Sequence, residues 1–188
     1  MTEAQFLTGH FLIAMPGMGD PNFHQTVTYV CEHSSDGAMG LVINRPMNLK
    51  LGEIFAQMSL EKPTENVSGQ EVLQGGPVHP DRGFVLHDPS DDTWDSTLEV
   101  SSDIRVTTSR DILTAMATGE GPSRSVVVLG YAGWGGGQLE DEMVANAWLS
   151  VPATTGIIFD IPYDDRWQAA AKLIGIDLNS LSIEAGHA

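Results

Sequence analysis

The sequence predicts a single α+β domain over residues 1–188, with a largely antiparallel, barrel-like β-sheet and about four peripheral helices. Short apolar or alternating segments recur between clusters of Gly, Pro, Asn and Asp, as expected for strands joined by turns. Most of these segments follow one another too closely for the crossover that parallel strands require. A chain of 188 residues with 41% hydrophobic residues is also large and apolar enough to form one core.

The strand predictions come from two patterns of apolar residues. TVTYV, residues 26–30, alternates in the manner of a half-buried strand, whereas VVVLGY, residues 126–131, is continuously apolar and typical of a fully buried one. Strands are predicted at residues 9–15, 25–32, 38–44, 71–74, 83–87, 98–100, 104–107, 126–131 and 156–160.

The helix predictions come from apolar residues at helical spacing and from capping residues. Asn48 is expected to cap a helix that turns Leu51 and Phe55 toward the core. Further helices are predicted at residues 109–118, from about residue 138 onward, and at residues 164–174.

The chain is strongly acidic, with a formal net charge of −16 at pH 7 from 25 acidic and 9 basic residues. Direct binding of DNA or RNA needs the opposite balance, so no nucleic-acid partner is expected. The single cysteine, Cys31, excludes an internal disulfide and is typical of a reducing compartment. The longest apolar run near the N-terminus, residues 11–15, is too short for a signal-peptide core or a membrane span. We therefore expect a cytoplasmic protein with no membrane contact.

The run GYAGWGGGQLEDEMVANAW, residues 130–148, is predicted to place a glycine-rich turn between a strand and a helix. Such turns often hold phosphate, but Glu140, Asp141 and Glu142 occupy the first helical turn and would repel an anion. The glycine spacing matches neither a dinucleotide-binding nor a Walker motif. Trp134, flanked by glycines, is predicted to cover a pocket or to contact a partner.

The helix that follows this turn supplies candidate binding residues. Glu142 and Asn146 lie one turn apart and share a face. They either bind a small polar ligand or hydrogen-bond a neighbouring loop such as Gly75-Gly76-Pro77. The candidate ligand- or partner-binding residues are therefore Asn44, Arg45, Gly75, Gly76, Trp134, Gln138, Glu140, Glu142 and Asn146.

Cys31 and His33 are the candidate catalytic residues. Their separation by one residue in a predicted strand puts both side chains on one face, where an imidazole can activate a thiolate. The alternative is that Cys31 is a small core residue and that His33 is satisfied by the backbone. No short spacing supplies a third metal ligand, so neither a metal nor another cofactor is expected.

Asn44 and Arg45 end the third predicted strand and also allow two interpretations. Arg45 is suited to clamp a carboxylate or phosphate, with Asn44 orienting it. Alternatively, Asn44 turns the chain and Arg45 balances an acid such as Glu140 or Glu142.

Four blocks together carry a family resemblance. They are GHFLIAMPGMGDPNFHQTVTYVCEHSSDGAMGLVINRP at residues 9–46, GGPV at 75–78, RGFVLH at 82–87, and the glycine-rich run. In this order and spacing they resemble the AlgH/YqgE family of small bacterial proteins. The resemblance implies an α+β fold on a β-barrel-like sheet. Family members are often labelled transcriptional regulators, after a proposed role in alginate synthesis, and no agreed biochemical activity accompanies the fold.

The sequence thus favours a non-catalytic binding or regulatory protein that contacts a protein or small molecule, without direct DNA binding. The alternative is an enzyme that acts on a small substrate through Cys31 and His33, or through Glu140 or Glu142. No complete catalytic motif is present, and neither substrate, partner nor oligomeric state follows from the sequence.

Overall fold

A computed structural model describes residues 6–60 and 65–185. Its strands are β1 (His10–Ala14), β2 (Val27–Ser34), β3 (Gly37–Val42), β4 (Pro46–Lys50), β5 (Glu71–Gln74), β6 (Val78–His87), β7 (Thr97–Glu99), β8 (Arg105–Thr107), β9 (Ser125–Gly135) and β10 (Trp148–Pro152). Its helices are α1 (Leu51–Gln57), α2 (Glu65–Ser68), α3 (Asp111–Ala117), α4 (Gln138–Val144), α5 (Thr155–Phe159), α6 (Arg166–Lys172) and α7 (Leu178–Ala185).

The strands form one curled half-barrel sheet. Its main path runs β10-β1-β2-β3-β9-β6-β8-β7, and every pair along it is antiparallel. The antiparallel pair of β4 and β5, which α1 and α2 connect, joins this path through β5, which runs parallel to β9. The predicted α+β class, with a largely antiparallel, barrel-like sheet and peripheral helices, is confirmed. No helix in the described part of the chain is long and apolar enough to cross a membrane.

The sheet buries apolar side chains on both faces, because helices and loops cover each side. The largest cluster lies on one face of β1, β2, β6 and β9 and contains Phe11, Tyr29, Cys31, Phe84 and Val106. A second cluster lies beneath α4, and a third lies between the sheet and helices α1 and α3. Burial on both faces explains why several strands read as continuous apolar runs rather than as alternating ones.

A β-bulge in β2 decides where the polar side chains of that strand point. The pairing with β3 shifts between Val30 and Glu32, so that Val30 faces Gly40 and Glu32 faces Met39. The extra residue reverses the alternation of side chains along the rest of the strand. Residues after the bulge therefore face the side opposite to the one that the sequence period predicts.

The glycine-rich run is mainly strand. β9 continues through Trp134, which pairs with Ala38, to Gly135, and only the next two glycines form the turn into α4. Gly137 has a φ of 78°, in the left-handed region that favours glycine. The predicted helix is confirmed, but Trp134 does not stand in the turn as predicted.

The predicted strand at residues 156–160 is also wrong, because this segment forms α5. The side chain of Thr154 accepts the backbone N–H of Ile157 and caps the helix, and Ile157 and Ile158 pack into the core from it. A short apolar run is compatible with either a strand or a helix. Here the Thr154 cap favours the helix. The sequence patterns also missed β4, α2, β10 and α7.

Candidate functional site

The carboxylate of Glu142 is held by three N–H donors. Its Oε1 accepts the indole N–H of Trp134 at 3.1 Å and that of Trp148 at 2.9 Å, and its Oε2 accepts an amide N–H of Gln138 at 2.9 Å. The rings of Trp134 and Trp148 are 6% and 2% exposed. These four residues, the Glu142 cluster, pair a carboxylate with two indoles that would otherwise be buried without acceptors. The prediction that Trp134 covers a pocket or contacts a partner is wrong, because its ring packs in the core.

Arg45 binds the loop between β1 and β2 rather than an acid. Its Nη1 donates to the carbonyl of Asn22 at 2.7 Å and its Nη2 to that of His24 at 2.9 Å. Partial burial lowers the pKa of the guanidinium from its usual value. The fork of the guanidinium fits two carbonyls at once. The expectation that Arg45 balances Glu140 or Glu142 is wrong, because both of these donors are used by the loop.

Asn44 secures the same loop from its other end. Its Oδ1 accepts the N–H of Val27 at 3.0 Å and its Nδ2 donates to the carbonyl of Gln25 at 2.9 Å. The loop in turn lays Phe23 against both tryptophan rings of the Glu142 cluster, with centroid distances of 6.1 and 5.5 Å. Asn44 and Arg45 together hold this loop closed over the second cluster.

His33 is fixed at both ring nitrogens. Its Nδ1 accepts the backbone N–H of Leu7 at 2.9 Å, so the proton is on Nε2, which donates to Oε1 of Glu140 at 2.7 Å. This hydrogen bond lowers the pKa of Glu140 from its usual value. His33 and Glu140 thus join the N-terminal segment, β2 and α4, and both ring nitrogens of His33 are engaged.

Cys31 lies on the other face of β2 from His33. Its side chain is 1% exposed and belongs to the largest core cluster, whereas His33 pairs with Ala38 on the face of the Glu142 cluster. Burial raises the pKa of the Cys31 thiol well above its ordinary value. The expectation that both side chains share a face is wrong, because the bulge at Val30 and Glu32 reverses the alternation between them.

Gly75 and Gly76 are buried against the backbone of β9. A Cβ on Gly75 would lie 2.3 Å from the carbonyl oxygen of Gly130, and one on Gly76 would lie 2.2 Å from the carbonyl carbon of Tyr131. Gly76 also has a φ of 156°. These glycines permit close backbone approach and present no surface to a ligand. The alternative in which Glu142 hydrogen-bonds this loop is wrong, because both oxygens of Glu142 accept from Trp134, Trp148 and Gln138 instead.

Asn146 ends α4. Its φ of 60° is left-handed, and its backbone N–H donates to the carbonyl of Met143 at 3.1 Å. This is a common role for asparagine just beyond a helix C-terminus. Among the described residues its side chain makes no hydrogen bond, so the predicted polar pair of Glu142 and Asn146 does not form.

An open cleft of about 520 Å³ lies instead on the face of the largest core cluster. We call it the inner cleft. It opens between β2 and β3 on one side and β6 to β8 on the other, with Cys31 at its base. It is lined by Cys31, Glu32, Met39, Arg82, Phe84, Ser96, Thr97, Leu98, Val106, Thr108 and Tyr131.

Arg82 is the one base of the inner cleft. Its guanidinium lies over the ring of Phe84, 5.5 Å from the centroid, and Tyr131 meets the same ring edge to face at 5.8 Å. Within the described part of the chain Arg82 has no carboxylate within ion-pair distance. The cleft thus combines an apolar wall and the unpaired cation of Arg82 with the carboxylate of Glu32 and the hydroxyls of Ser96, Thr97 and Thr108.

None of the residues lining the inner cleft except Cys31 was among the sequence candidates. A signal was present in RGFVLH, where Arg82 and Phe84 share a face at period two, and in Tyr131 within the glycine-rich run. These local patterns do not predict the cleft, because it is formed by strands that are far apart in the chain. Among the residues the structure describes, no three His, Cys, Asp or Glu side chains are placed to hold a metal ion.

This architecture defines a single-domain mixed α/β protein built on a curled half-barrel sheet. The chain belongs to the AlgH-like family, whose model matches residues 11–179.

Curated relatives and solved structures agree with this assignment. A UPF0301 protein of Thiobacillus denitrificans is 56% identical over 182 residues, which cover 97% of either chain. The solution structure of the AlgH protein from Pseudomonas aeruginosa matches with a TM-score of 0.79 and 50% identity, covering 100% of both chains. A crystal structure from Corynebacterium diphtheriae, at 18% identity and a TM-score of 0.75 over 97% of this chain and 94% of that one, shows the same fold.

Proposed function

We propose that the protein is a non-catalytic binding protein with a regulatory role, and that its inner cleft receives a small, largely apolar molecule with one anionic group. The observation that carries this proposal is the cleft itself, whose volume of about 520 Å³ is that of an ordinary small-molecule site. Its wall of Met39, Phe84, Leu98 and Val106 suits an apolar body. Arg82 supplies the charge that an anionic group needs.

The contacts of the candidate catalytic residues support binding rather than catalysis. The Cys31 thiol is buried with its pKa raised, so thiolate is scarce at neutral pH. His33 lies on the opposite face, and both of its ring nitrogens are engaged. Glu140 and Glu142 accept hydrogen bonds that fix them in structural roles. The alternative of an enzyme that uses these four residues therefore lacks a nucleophile activated by a neighbouring base, because Cys31 and His33 lie on opposite faces of β2.

A regulatory role is proposed to act through a small molecule or a protein partner rather than through DNA. The net charge of −16 repels a nucleic-acid backbone at long range. The buried free thiol of Cys31 is compatible with the reducing cytoplasm, which we propose as the location. Absence of salt-dependent binding to duplex DNA at low salt is the expected result, and such binding would contradict this part of the proposal.

The cleft proposal is tested with 8-anilinonaphthalene-1-sulfonate, a fluorescent probe with an apolar body and one anionic group. We expect a saturable fluorescence increase with the native protein. Arg82→Gln should weaken binding about tenfold, because a charge-assisted contact to the sulfonate is lost. Arg110→Gln, which removes an exposed base outside the cleft, is the matched control. Leu98→Glu should weaken the probe further by placing a like charge in the cleft.

Near-ultraviolet circular dichroism accompanies each titration, because the probe also binds partly unfolded proteins. A native spectrum with no fluorescence gain would overturn the proposal. Equal binding by Arg82→Gln, Leu98→Glu and the control would also overturn it, since the probe would then lie elsewhere. Cys31→Ala should keep the affinity of the wild type, because the thiol has no chemical role in binding.

A further inference from the structure

The main path of the sheet ends at β7, which is paired on one side only. Its three residues, Thr97, Leu98 and Glu99, are all exposed, and Leu98 is 38% exposed although its side chain is large and apolar. In the described part of the chain the other edge strands, β4 and β10, each contain a proline, which is one way in which proteins block an open edge. β7 has no proline and is therefore the edge best suited to accept a further strand.

The backbone of β7 presents unpaired groups at this edge. The carbonyl of Ser96 accepts the N–H of Thr108 at 2.9 Å, and the N–H of Val100 donates to the carbonyl of the residue before β8 at 3.2 Å. Backbone groups of successive residues in a strand point to opposite sides, so those of Thr97 and Glu99 point away from β8. No loop or turn backbone in the described chain pairs with them. The N–H and C=O groups of both residues are therefore open to another strand.

The side chains of β7 determine which residues fit in an added strand. Leu98 pairs with Val106 and both line the inner cleft, whereas Glu99 pairs with Arg105 on the other face. A strand about 4.8 Å beyond β7 would continue this alternation. Its residue opposite Leu98 would place a side chain at the mouth of the inner cleft, where an apolar group packs best. The residues before and after it would lie on the face of Glu99.

The surroundings of β7 are acidic. Residues 88–103 contain six acids and no base. The exposed acids among them are Asp91, Asp92, Asp95, Glu99 and Asp103. Arg105, across from Glu99, offsets only part of this charge. A second copy of the chain would bring the same acids and a net charge of −16 against this edge, whereas a basic segment is attracted to it.

We propose that β7 accepts an extended segment of a partner protein in which basic residues alternate with apolar ones. The segment pairs antiparallel with β7, as every pair along the main path of the sheet does. Its backbone bonds Thr97 and Glu99, one apolar side chain packs on Leu98, and basic side chains meet the acids of the other face. This inference goes beyond the proposed function, because it requires no small molecule in the inner cleft.

The test is a titration of ¹⁵N-labelled protein with an end-capped peptide of four Lys-Val repeats, in about 0.15 M salt to screen general attraction. The amide resonances of Thr97 and Glu99 should move in a saturable way. Their hydrogen exchange should slow about tenfold or more, because each N–H gains an acceptor. A peptide of the same composition with the order Lys-Lys-Val-Val repeated should bind about tenfold more weakly, because it mixes both residue types on each face.

Two methylated peptides separate backbone pairing from charge. In the proposed antiparallel register the lysine backbone faces β7, whereas the valine backbone faces away from it. Methylation of the lysine backbone nitrogens should abolish binding, and methylation of the valine backbone nitrogens should preserve it. Both peptides keep the same side chains and the same charge. Equal binding by the two peptides would overturn the proposal, and so would binding by the lysine-methylated peptide alone.

Glu99→Pro removes one of the N–H groups that point toward the partner, at an edge position where a proline is compatible with a strand. It should weaken the Lys-Val peptide about tenfold or more, whereas Glu99→Gln, which keeps the N–H, should weaken it less. Ser150→Pro is the matched control on the β10 edge. The N–H of Ala153 donates to Gly9, so the backbone of Ser150 points away from β1. This variant should bind the peptide as the wild type does.

Near-ultraviolet circular dichroism confirms that each variant is folded, and the methylated peptides test the wild type without any substitution. Loss of binding in Ser150→Pro but not in Glu99→Pro would overturn the proposal, because the peptide would then add to β10. Movement of the Thr97 and Glu99 resonances on dilution of the free protein would also overturn it, by indicating a second copy at this edge. Arg82→Gln should keep the peptide affinity and Glu99→Pro should keep the fluorescent probe, so failure of one proposal is distinguishable from failure of the other.

Discussion

Cys31 and His33 are separated by one residue and face opposite sides of strand β2. The thiol packs in the largest core cluster, and the imidazole donates to Glu140 above the other face. The bulge between Val30 and Glu32 produces this arrangement, because it adds one residue to a strand whose side chains alternate with period two. The two groups therefore cannot exchange a proton, and each serves its own side of the sheet.

Cys31 should be inert toward iodoacetamide in the native protein. Burial hides the sulfur and raises its pKa, so both access and thiolate population are low at pH 8. Alkylation followed by mass spectrometry should show little modification of the native chain and complete modification in denaturing urea. Rapid native alkylation at pH 8 would contradict the packed position of the thiol.

Glu142→Ala should lower the free energy of unfolding by about 2–4 kcal/mol, because buried indole donors lose a charged acceptor. The affected donors are Trp134 and Trp148, which are almost wholly buried. Urea unfolding measures the change. Asp141→Ala is the matched control, since Asp141 is an exposed acid in the same helical turn, and its loss should cost about 1 kcal/mol or less. Equal losses would show that only the helix charge matters.

Arg45→Ala should loosen the loop between β1 and β2. The side chain donates to the carbonyls of Asn22 and His24, so its removal frees the backbone at those points. Amide hydrogen exchange at Phe23 and Thr26 should accelerate about tenfold or more, as expected when two hydrogen bonds to a cation are lost. Arg110→Ala removes an exposed base elsewhere and should leave these amides unchanged. Unchanged exchange in Arg45→Ala would show that Asn44 alone holds the loop.

His87 should make the protein less stable as the pH falls below about 6.5. Burial lowers the pKa of His87 in the folded state, so the unfolded chain takes up this proton first. Stability contributed by the neutral ring is complete above the unfolded pKa and is lost toward acid, at up to about 1.4 kcal/mol per pH unit. Urea midpoints at several pH values should show a steeper acid loss in the wild type than in His87→Gln. If the wild type and His87→Gln lost stability equally toward acid, the lowered pKa of His87 would be contradicted.

Much of the fold follows from local patterns. The alternation in TVTYV and the continuous run in VVVLGY correctly predict the strands β2 and the centre of β9. The predicted half-burial of TVTYV is wrong, because Thr26 and Thr28 are as fully buried as the apolar residues between them. The helix after Gly137 is likewise predicted by the glycine turn and by the acids that follow it. The segment 156–160 was assigned wrongly, because a short apolar run fits a strand or a helix and only the Thr154 cap distinguishes them.

The roles of the candidate residues depend on tertiary contacts that their local sequence pattern does not specify. Glu142 has the local signature of a helix-dipole acid, yet its main role is to accept from two indoles. Trp134 between glycines suggests an exposed ring, yet the strand continues through it and turns the ring into the core. Arg45 suggests an anion clamp, yet two carbonyls of a loop use its donors.

The sequence by itself determined the α+β class, the family, the acidic surface and most strands of this protein, since each follows from composition, periodicity or motif order. The tertiary structure alone decided which side chains meet. A one-residue bulge separated Cys31 from His33, and the pairing of strands brought residues of β2, β3, β6, β7 and β8 together around the inner cleft. The bulge lies between consecutive strands but leaves no regular mark on the sequence, and the cleft depends on contacts between strands that are distant in the chain.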